Sequence, residues 1–330
     1  LDTTSLPEKG TTEVSMSESI PILVASCDAY ADLWRPFFTI FFRQWTDCPF
    51  PVYLGTNHLR YDDPRVTIVD IGDDTTWTSG VVSMLKRIGS EHVILFLEDF
   101  FLVERVDTSR IQRLVDVARV EGLACLRLVA HMPLAVRPVC AAPGYADLGI
   151  IEPAAPYRVS AQVAIWRTDS LLRLLVPGAD AWEFELFASK LSARLCEPFW
   201  GVMETAIRYD QVVEKGRWKP KGLRAATEAG LAANGNRPVF SEAELDARNA
   251  ASTAKEPQAQ RKVAMARHFR NGHRASGLRE ALRALRNQPA SIRLWVSIVA
   301  GMLGPRALCA VEGWIFERRL EAIRRREKET

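Results

Sequence analysis

Val93-Ile94-Leu95-Phe96-Leu97-Glu98-Asp99-Phe100-Phe101-Leu102 is the stretch on which the reading of this chain turns. Its apolar run predicts a strand buried on both faces, as in the middle of a parallel sheet. Two carboxylates then arrive together, and apolar residues resume at once. A buried charge without a partner is costly, so a solvated edge, a cation or a hydrogen-bond donor has to meet Glu98 and Asp99. In open α/β sheets the carboxyl end of a central strand is where ligands bind. Two ordinary acids facing water at a strand end would read the same, so the flanking segments must decide.

Upstream, Ile20 to Ala25 is a first buried strand that leaves through Ser26-Cys27-Asp28. A helical pattern from Asp32 to Trp45 follows, then short strands at Val52 to Leu54 and Val66 to Val69. A helix with Val81, Met84, Leu85 and Ile88 inward stops at Gly89. This alternation predicts a mostly parallel sheet with helices on its faces. Downstream, a helix over 108–120 and a strand over 123–129 continue it. Residues 130–156, rich in Pro, Gly and Ala, read as loops over a site. Val159 to Trp166 resumes as a strand, Asp169 to Leu175 as a short helix, and residues 212–218 as a strand with a basic turn.

The chain has 330 residues and ordinary hydrophobic and charged fractions, which fits one main domain plus an appendage. Its net charge of +3 is too small to point to nucleic acid. Cys27, Cys48, Cys125, Cys140, Cys196 and Cys309 include no C-x-x-C pair. They read as buried free thiols in a reducing compartment. The histidines show no i, i+4 metal spacing. Residues 1–19 are polar and read as a disordered lead without a secretory signal, so a cytoplasmic protein is the working expectation.

Strand ends repeatedly carry Asp, Ser or Asn: Ser26, Asp28, Asn57, Asp70, Asp73 and Asp74. Such groups suit the ribose and base of a nucleotide, although each singly is also a common turn residue. Neither G-x-G-x-x-G nor G-x-x-x-x-G-K-[ST] occurs, which counts against a dinucleotide dehydrogenase or a P-loop enzyme. A diphosphate held without such a loop is commonly bridged by magnesium or manganese, whose preference for hard oxygen ligands Glu98 and Asp99 satisfy. Arg127, His131, Arg137 and Arg158 lie in or beside the loops of residues 130–156 as cations suited to phosphate or an acidic sugar, or to a solvated or salt-bridged surface. In Asp180-Ala181-Trp182-Glu183-Phe184-Glu185, acids alternate with large rings. Acids so placed can have raised pKa values suited to a general base, or can simply open an amphipathic helix.

Taken in order, Ser26-Asp28, Trp77-Thr78-Ser79, Leu97 to Leu102, Gln162 to Trp166, Trp182 to Glu185 and Gly216-Arg217-Trp218 resemble bacterial nucleotide-sugar glycosyltransferases of the GT-A fold that build surface polysaccharides. The resemblance covers Ile20 to Trp218. It implies an α/β, Rossmann-like sheet domain over residues 20–220 and a helical extension over 221–330. It also implies a nucleotide-diphosphate sugar as donor and a glycan or lipid-linked acceptor. Glu98 and Asp99 would hold the divalent cation, with one of them leading if they sit on a strand, where neighbours face opposite ways. Ser26, Asp28, Asn57, Asp73, Asp74, Trp77 and Ser79 would surround the nucleotide. Inverting transfer needs a base for the acceptor hydroxyl. By the same resemblance Glu185 is the first choice and Glu183 the second. Trp166, Trp182 and Trp200 are candidates for sugar stacking or for core packing. A non-catalytic sugar-nucleotide or glycan-binding module on the same fold is the alternative from another class. A nucleotidyltransferase is a third reading.

Beyond Lys221 the composition shifts to Ala, Arg and Glu, and Ser241-Glu242-Ala243-Glu244 predicts a capping box opening a helix. Leu294 to Leu303 is apolar but too short to span a bilayer. The closing segment mixes Trp314, Ile315, Phe316, Leu320 and Ile323 with arginines. It would either pack on the sheet domain or lie on the inner face of a membrane.

Overall fold

The computed structural model describes residues 20–73, 76–130, 140–153, 155–231, 237–286 and 290–329. The first strand, β1 (Ile22–Ala25), is followed by one 3-10 turn, α1 (Ala31–Gln44), β2 (Val52–Thr56) and β3 (Val66–Asp70). Next come α2 (Trp77–Ile88), β4 (His92–Leu97), β5 (Phe100–Leu102), α3 (Thr108–Val120) and β6 (Cys125–Arg127). β7 (Cys140–Ala142), β8 (Tyr145–Ile150), β9 (Ala164–Arg167), α4 (Thr168–Leu174), α5 (Ala181–Ser192) and β10 (Phe199–Val202) follow. The sheet unit closes with β11 (Tyr209–Gln211), β12 (Val213–Glu214), β13 (Arg217–Trp218) and α6 (Pro220–Glu228). The helical region comprises α7 (Glu242–Arg270), α8 (Arg274–Leu285), α9 (Ile292–Leu303) and α10 (Pro305–Glu329).

Nine strands form one mixed sheet in the order β3-β2-β1-β4-β9-β6-β10-β8-β7. β9 and β8 run against the others, so the sheet is mostly parallel in direction. Alternate residues of its central strands enter opposite cores, as the period of a strand requires. Ile22, Val24, Ile94 and Phe96 meet α1 and α3 on one face. Leu23, Ala25, Val93 and Leu95 meet α2, α4 and α5 on the other. The α/β architecture with a helical C-terminal region is therefore the one expected from the sequence.

Residues 93–102 do not run on as one strand. β4 stops at Leu97, Glu98 and Asp99 make a turn, and β5 leaves the main sheet to pair antiparallel with β11. A ladder position for each acid would bury one charge on each face of the sheet, whereas the turn brings both to its edge. Residues 130–156 are not all loop either: β7 and β8 form a hairpin at the sheet edge, turning at Gly144 with φ 80°. Its Ala and Gly content, weak in strand propensity, hides it from pattern reading. The strand expected from Val159 begins only at Ala164, and residues 212–218 are a tight hairpin.

The first core does not stop at residue 220. Leu223, Ala226, Ala229 and Leu231 pack into it, and Trp218 bridges to Val239. The helical region has its own centre around Phe269, Ala281, Leu294, Ile298 and Leu308. It is joined to the sheet unit where Phe316, Leu320 and Ile323 bury against Val176, Ala179 and Phe187. No helix among the described residues is long and apolar enough to cross a membrane. Cys27, Cys48, Cys125, Cys196 and Cys309 form no disulfide, but of these only Cys125 is buried, against the expectation of buried thiols throughout.

Candidate active site

The register of the central strands builds the site. β1 pairs with β4 in parallel, Val24 opposite Phe96 and Ala25 opposite Leu97, so both strands end at the same level. Ser26-Cys27 and Glu98-Asp99 therefore leave the sheet side by side. They floor a cleft of about 440 Å³ that is walled by Tyr30, Thr76, Trp77, Met84, Ala181, Gln211, Val213 and Lys215. A larger hollow, about 690 Å³, lies at the opposite end of β4. Of its charged lining residues Lys86, Glu91, Arg167 and Asp169, the last two are paired with each other at 2.7 Å.

Glu98 and Asp99 are both more than nine-tenths buried, and both line the cleft. Burial and, for Glu98, the neighbouring carboxylate raise their pKa values together. One oxygen of Asp99, Oδ2, accepts from Gln211 Nε2 at 3.1 Å. The other, Oδ1, is buried without a hydrogen-bond partner. An orphaned carboxylate oxygen beside a second acid suits a hard cation, which would supply the missing charge to both. Among the described residues no group of three His, Cys, Asp or Glu gathers around one point. Any such ion would therefore take its remaining ligands from water and from the bound molecule.

Cations approach from the far side of the sequence. Arg237 pairs with Asp32 at 2.7 Å, lies 4.2 Å over the Tyr30 ring and draws the Glu98 pKa down against burial. Lys215 stands at the tip of the β12–β13 hairpin. Its φ is 50° and that of Gly216 is 73°, as a two-residue hairpin turn with both central residues left-handed demands. A lysine there is strained, since a Cβ crowds the backbone in that region. The turn holds Lys215 at the cleft wall.

The other expected site residues divide. Ser26 lines the cleft, its hydroxyl accepting from Trp34 Nε1 at 2.8 Å. Trp77 lines it too, with its ring 5.3 Å from that of Phe184. Asp28 and Asn57 are absorbed in holding two loops together. Asp28 accepts from the backbone amides of Asn57, His58 and Leu59, while Asn57 accepts from the Asp28 amide and donates to Gly72. Asp73 is fully exposed and pairs with His58 at 2.9 Å, away from the cleft lining. Ser79 serves the start of α2, bonded to the capping Thr76. Asp74, His131 and Arg137 lie outside the described residues. Arg127 and Arg158 are buried; Arg158 donates to the Ile151 and Ser192 carbonyls and lies 4.0 Å over Phe199, bracing α5 against the sheet.

On α5 the two glutamates have different surroundings. Glu183 completes a capping box with Asp180, each side chain bonded to the other's backbone amide. Glu185 lies one helical turn beyond Ala181, which lines the cleft; Glu185 and Glu183 are not themselves among the lining residues. Burial raises its pKa, opposed by one hydrogen bond from the Ala161 amide at 3.0 Å. Tyr157, left-handed at φ 50°, and Trp182, 64% exposed, sit beside it. Trp166 and Trp200 are core residues. Tyr30, Met84, Thr76 and Gln211 were not legible as site residues. Lys215 did leave a signal, the basic Lys-Gly-Arg turn that follows Val212-Val213-Glu214.

The fold and cleft define an α/β protein with an acidic cleft at the carboxyl edge of its sheet. No protein-family profile and no curated protein sequence matches the chain. Among solved structures it is similar to residues 1–349 of S. aureus TarS, at 13% identity and a TM-score of 0.42, over 92% of this chain and 83% of that one. A second TarS structure gives 14% identity and 0.39, over 88% of this chain and 49% of that one.

Proposed function

We propose that the protein is a glycosyltransferase of the GT-A kind, acting in surface polysaccharide synthesis on the cytoplasmic side. It would move a sugar from a nucleotide-diphosphate donor to the hydroxyl of a glycan or lipid-linked acceptor. The observation that carries this reading is the Glu98–Asp99 turn: two buried carboxylates in one cleft, one oxygen of Asp99 lacking a partner. Such a site is complete only with a cation and an anionic ligand, which is what a sugar nucleotide's diphosphate offers. Glu98 and Asp99 would hold manganese or magnesium. Bound there, the ion supplies positive charge to the diphosphate as it departs.

The chain's own groups do the rest. Lys215, at the cleft wall, adds positive charge on the side where negative charge grows, whereas the Arg237 charge is already balanced by Asp32. Tyr30 and Trp77 offer rings to the base and ribose. Glu185 takes the proton from the acceptor hydroxyl; the acceptor oxygen bonds to the anomeric carbon as the bond to the diphosphate breaks, and the leaving group keeps the electron pair. Attack opposite the leaving group inverts the anomeric centre. Trp182 and Tyr157 present apolar surface beside Glu185 on which an acceptor sugar can lie.

Asp99→Asn tests the reading, because it removes one charge at nearly constant shape. It should leave the melting temperature close to wild type while abolishing manganese-dependent donor turnover or donor hydrolysis. A variant as active as wild type at every manganese concentration would make the turn a purely structural feature.

A further inference from the structure

α9 is apolar over most of its circumference, Arg293 and Ser297 apart, yet only part of it is covered. Leu294, Ile298 and Ala300 are buried in the helical core with Phe269 and Leu308. Opposite them, Ile292 (78%), Trp295 (49%), Val296 (40%), Val299 (56%), Met302 (39%) and Leu303 (72%) are exposed. With 3.6 residues per turn these six share an arc of about 120°. No polar residue falls within it. Surface helices of globular proteins show the reverse pattern, with polar residues outward. A contiguous apolar face of this kind marks an interaction site. α10 differs: Phe316, Leu320 and Ile323 are already buried against the sheet unit, so the uncovered face belongs to α9.

Charge indicates what covers it. Between residues 281 and 311 the sequence has four arginines, Arg283, Arg286, Arg293 and Arg306, and no Asp or Glu. Arg286 and Arg306 are exposed just beyond the two ends of α9. Residues 274–329 hold twelve Lys and Arg against six Asp and Glu. A second copy meeting this face symmetrically would set like charges against like. Anionic headgroups neutralise them instead, and each cation near such a surface is favourable. A twelve-residue helix cannot span a bilayer, but it can lie in its interface with Trp295 at headgroup level.

We propose that α9 lies flat on an anionic bilayer surface, its apolar arc in the boundary between headgroups and acyl chains and its flanking arginines on lipid phosphates. The proposal stands apart from the chemistry assigned to the cleft. Flotation of the full chain with vesicles tests it, comparing phosphatidylcholine alone with mixtures containing phosphatidylglycerol. Wild type should float with the mixed vesicles at low salt and lose them as salt rises. Ile292→Glu with Val299→Glu should weaken binding at least about tenfold, the worth of one buried apolar side chain. Arg286→Glu with Arg306→Glu should remove the preference for phosphatidylglycerol. All four positions are exposed, so circular dichroism and melting should match wild type. Three results would overturn the proposal: wild type that ignores mixed vesicles at low salt, full binding by the Ile292→Glu, Val299→Glu protein, or self-association that this double variant abolishes. The last would assign the arc to a second copy.

Discussion

Glu183 and Glu185 are two residues apart on α5, and their surroundings separate their roles. Glu183 is tied into the helix cap, where its charge is useful to backbone amides. Glu185 is set among Tyr157, Trp182 and the Ala161 amide, and burial makes its acid form easier to keep. Glu185→Gln should therefore lower turnover by about 10²–10⁴-fold, the usual worth of a placed base, while leaving donor affinity near wild type. Glu183→Gln should cost more in stability than in rate. The pH dependence has a definite sign. Because Glu185's folded pKa is raised, its contribution to stability is full below the ordinary glutamate value of about 4.3 and is lost as pH rises through the raised value. Across that window wild-type melting should fall with pH more steeply than Glu185→Gln melting, while wild-type turnover rises as the base deprotonates. Equal slopes in the two proteins would detach Glu185 from both effects. The alternation of acids and rings made this helix legible in sequence. That Glu183 would close the helix cap was not, because the capping box depends on where the helix starts.

Two elements carry consequences that no single residue shows. The β12–β13 hairpin places a lysine where Asn or Gly would sit without strain. Lys215→Asn should leave the melting temperature equal or higher, yet weaken donor binding by about tenfold, as loss of a charged hydrogen-bond partner does. It should also reduce the salt dependence of binding. Unchanged affinity would make Lys215 a bystander. In the helical region, Phe269 is pressed between Gly277 of α8 and Gly301 of α9; a Cβ on Gly301 would come within 2.4 Å of its ring. Neither a buried ring nor two helices can yield cheaply, so Gly301→Ala should cost about 1–3 kcal/mol in denaturant unfolding. A neutral effect would mean that α9 packs less closely on α7 and α8. Strands and helices with strong period were legible, down to the Gly89 stop of α2. The β7–β8 hairpin and the break after Leu97 were not. Ala and Gly are poor strand formers, and a run of apolar letters does not say which sheet it joins.

At the scale of the molecule, the parallel register of β1 and β4 ends both strands at one level, the edge at which open α/β sheets generally bind ligands. That the two acids would sit together at the edge of the sheet was legible, because a doubled carboxylate inside an apolar run needs an explanation. That Asp28, Asn57 and Asp73 would be spent on loop closure and an exposed pair was not, because turn acids and ligand acids look alike in sequence. In sequence the closing segment of the helical region reads as a basic amphipathic helix, to pack on the sheet domain or to lie on a membrane. In the structure its closing helix is a packing element, and the uncovered face moved one helix earlier. The claim on which all of this depends is that the cleft beside Glu98 and Asp99 takes a nucleoside diphosphate. Calorimetric titration of the full chain with nucleoside diphosphates and their sugars, with and without manganese, measures it directly. The expected result is saturable one-to-one binding of at least one of them, strengthened by manganese and lost in Asp99→Asn. Absence of binding by any of them, with manganese present, would contradict it.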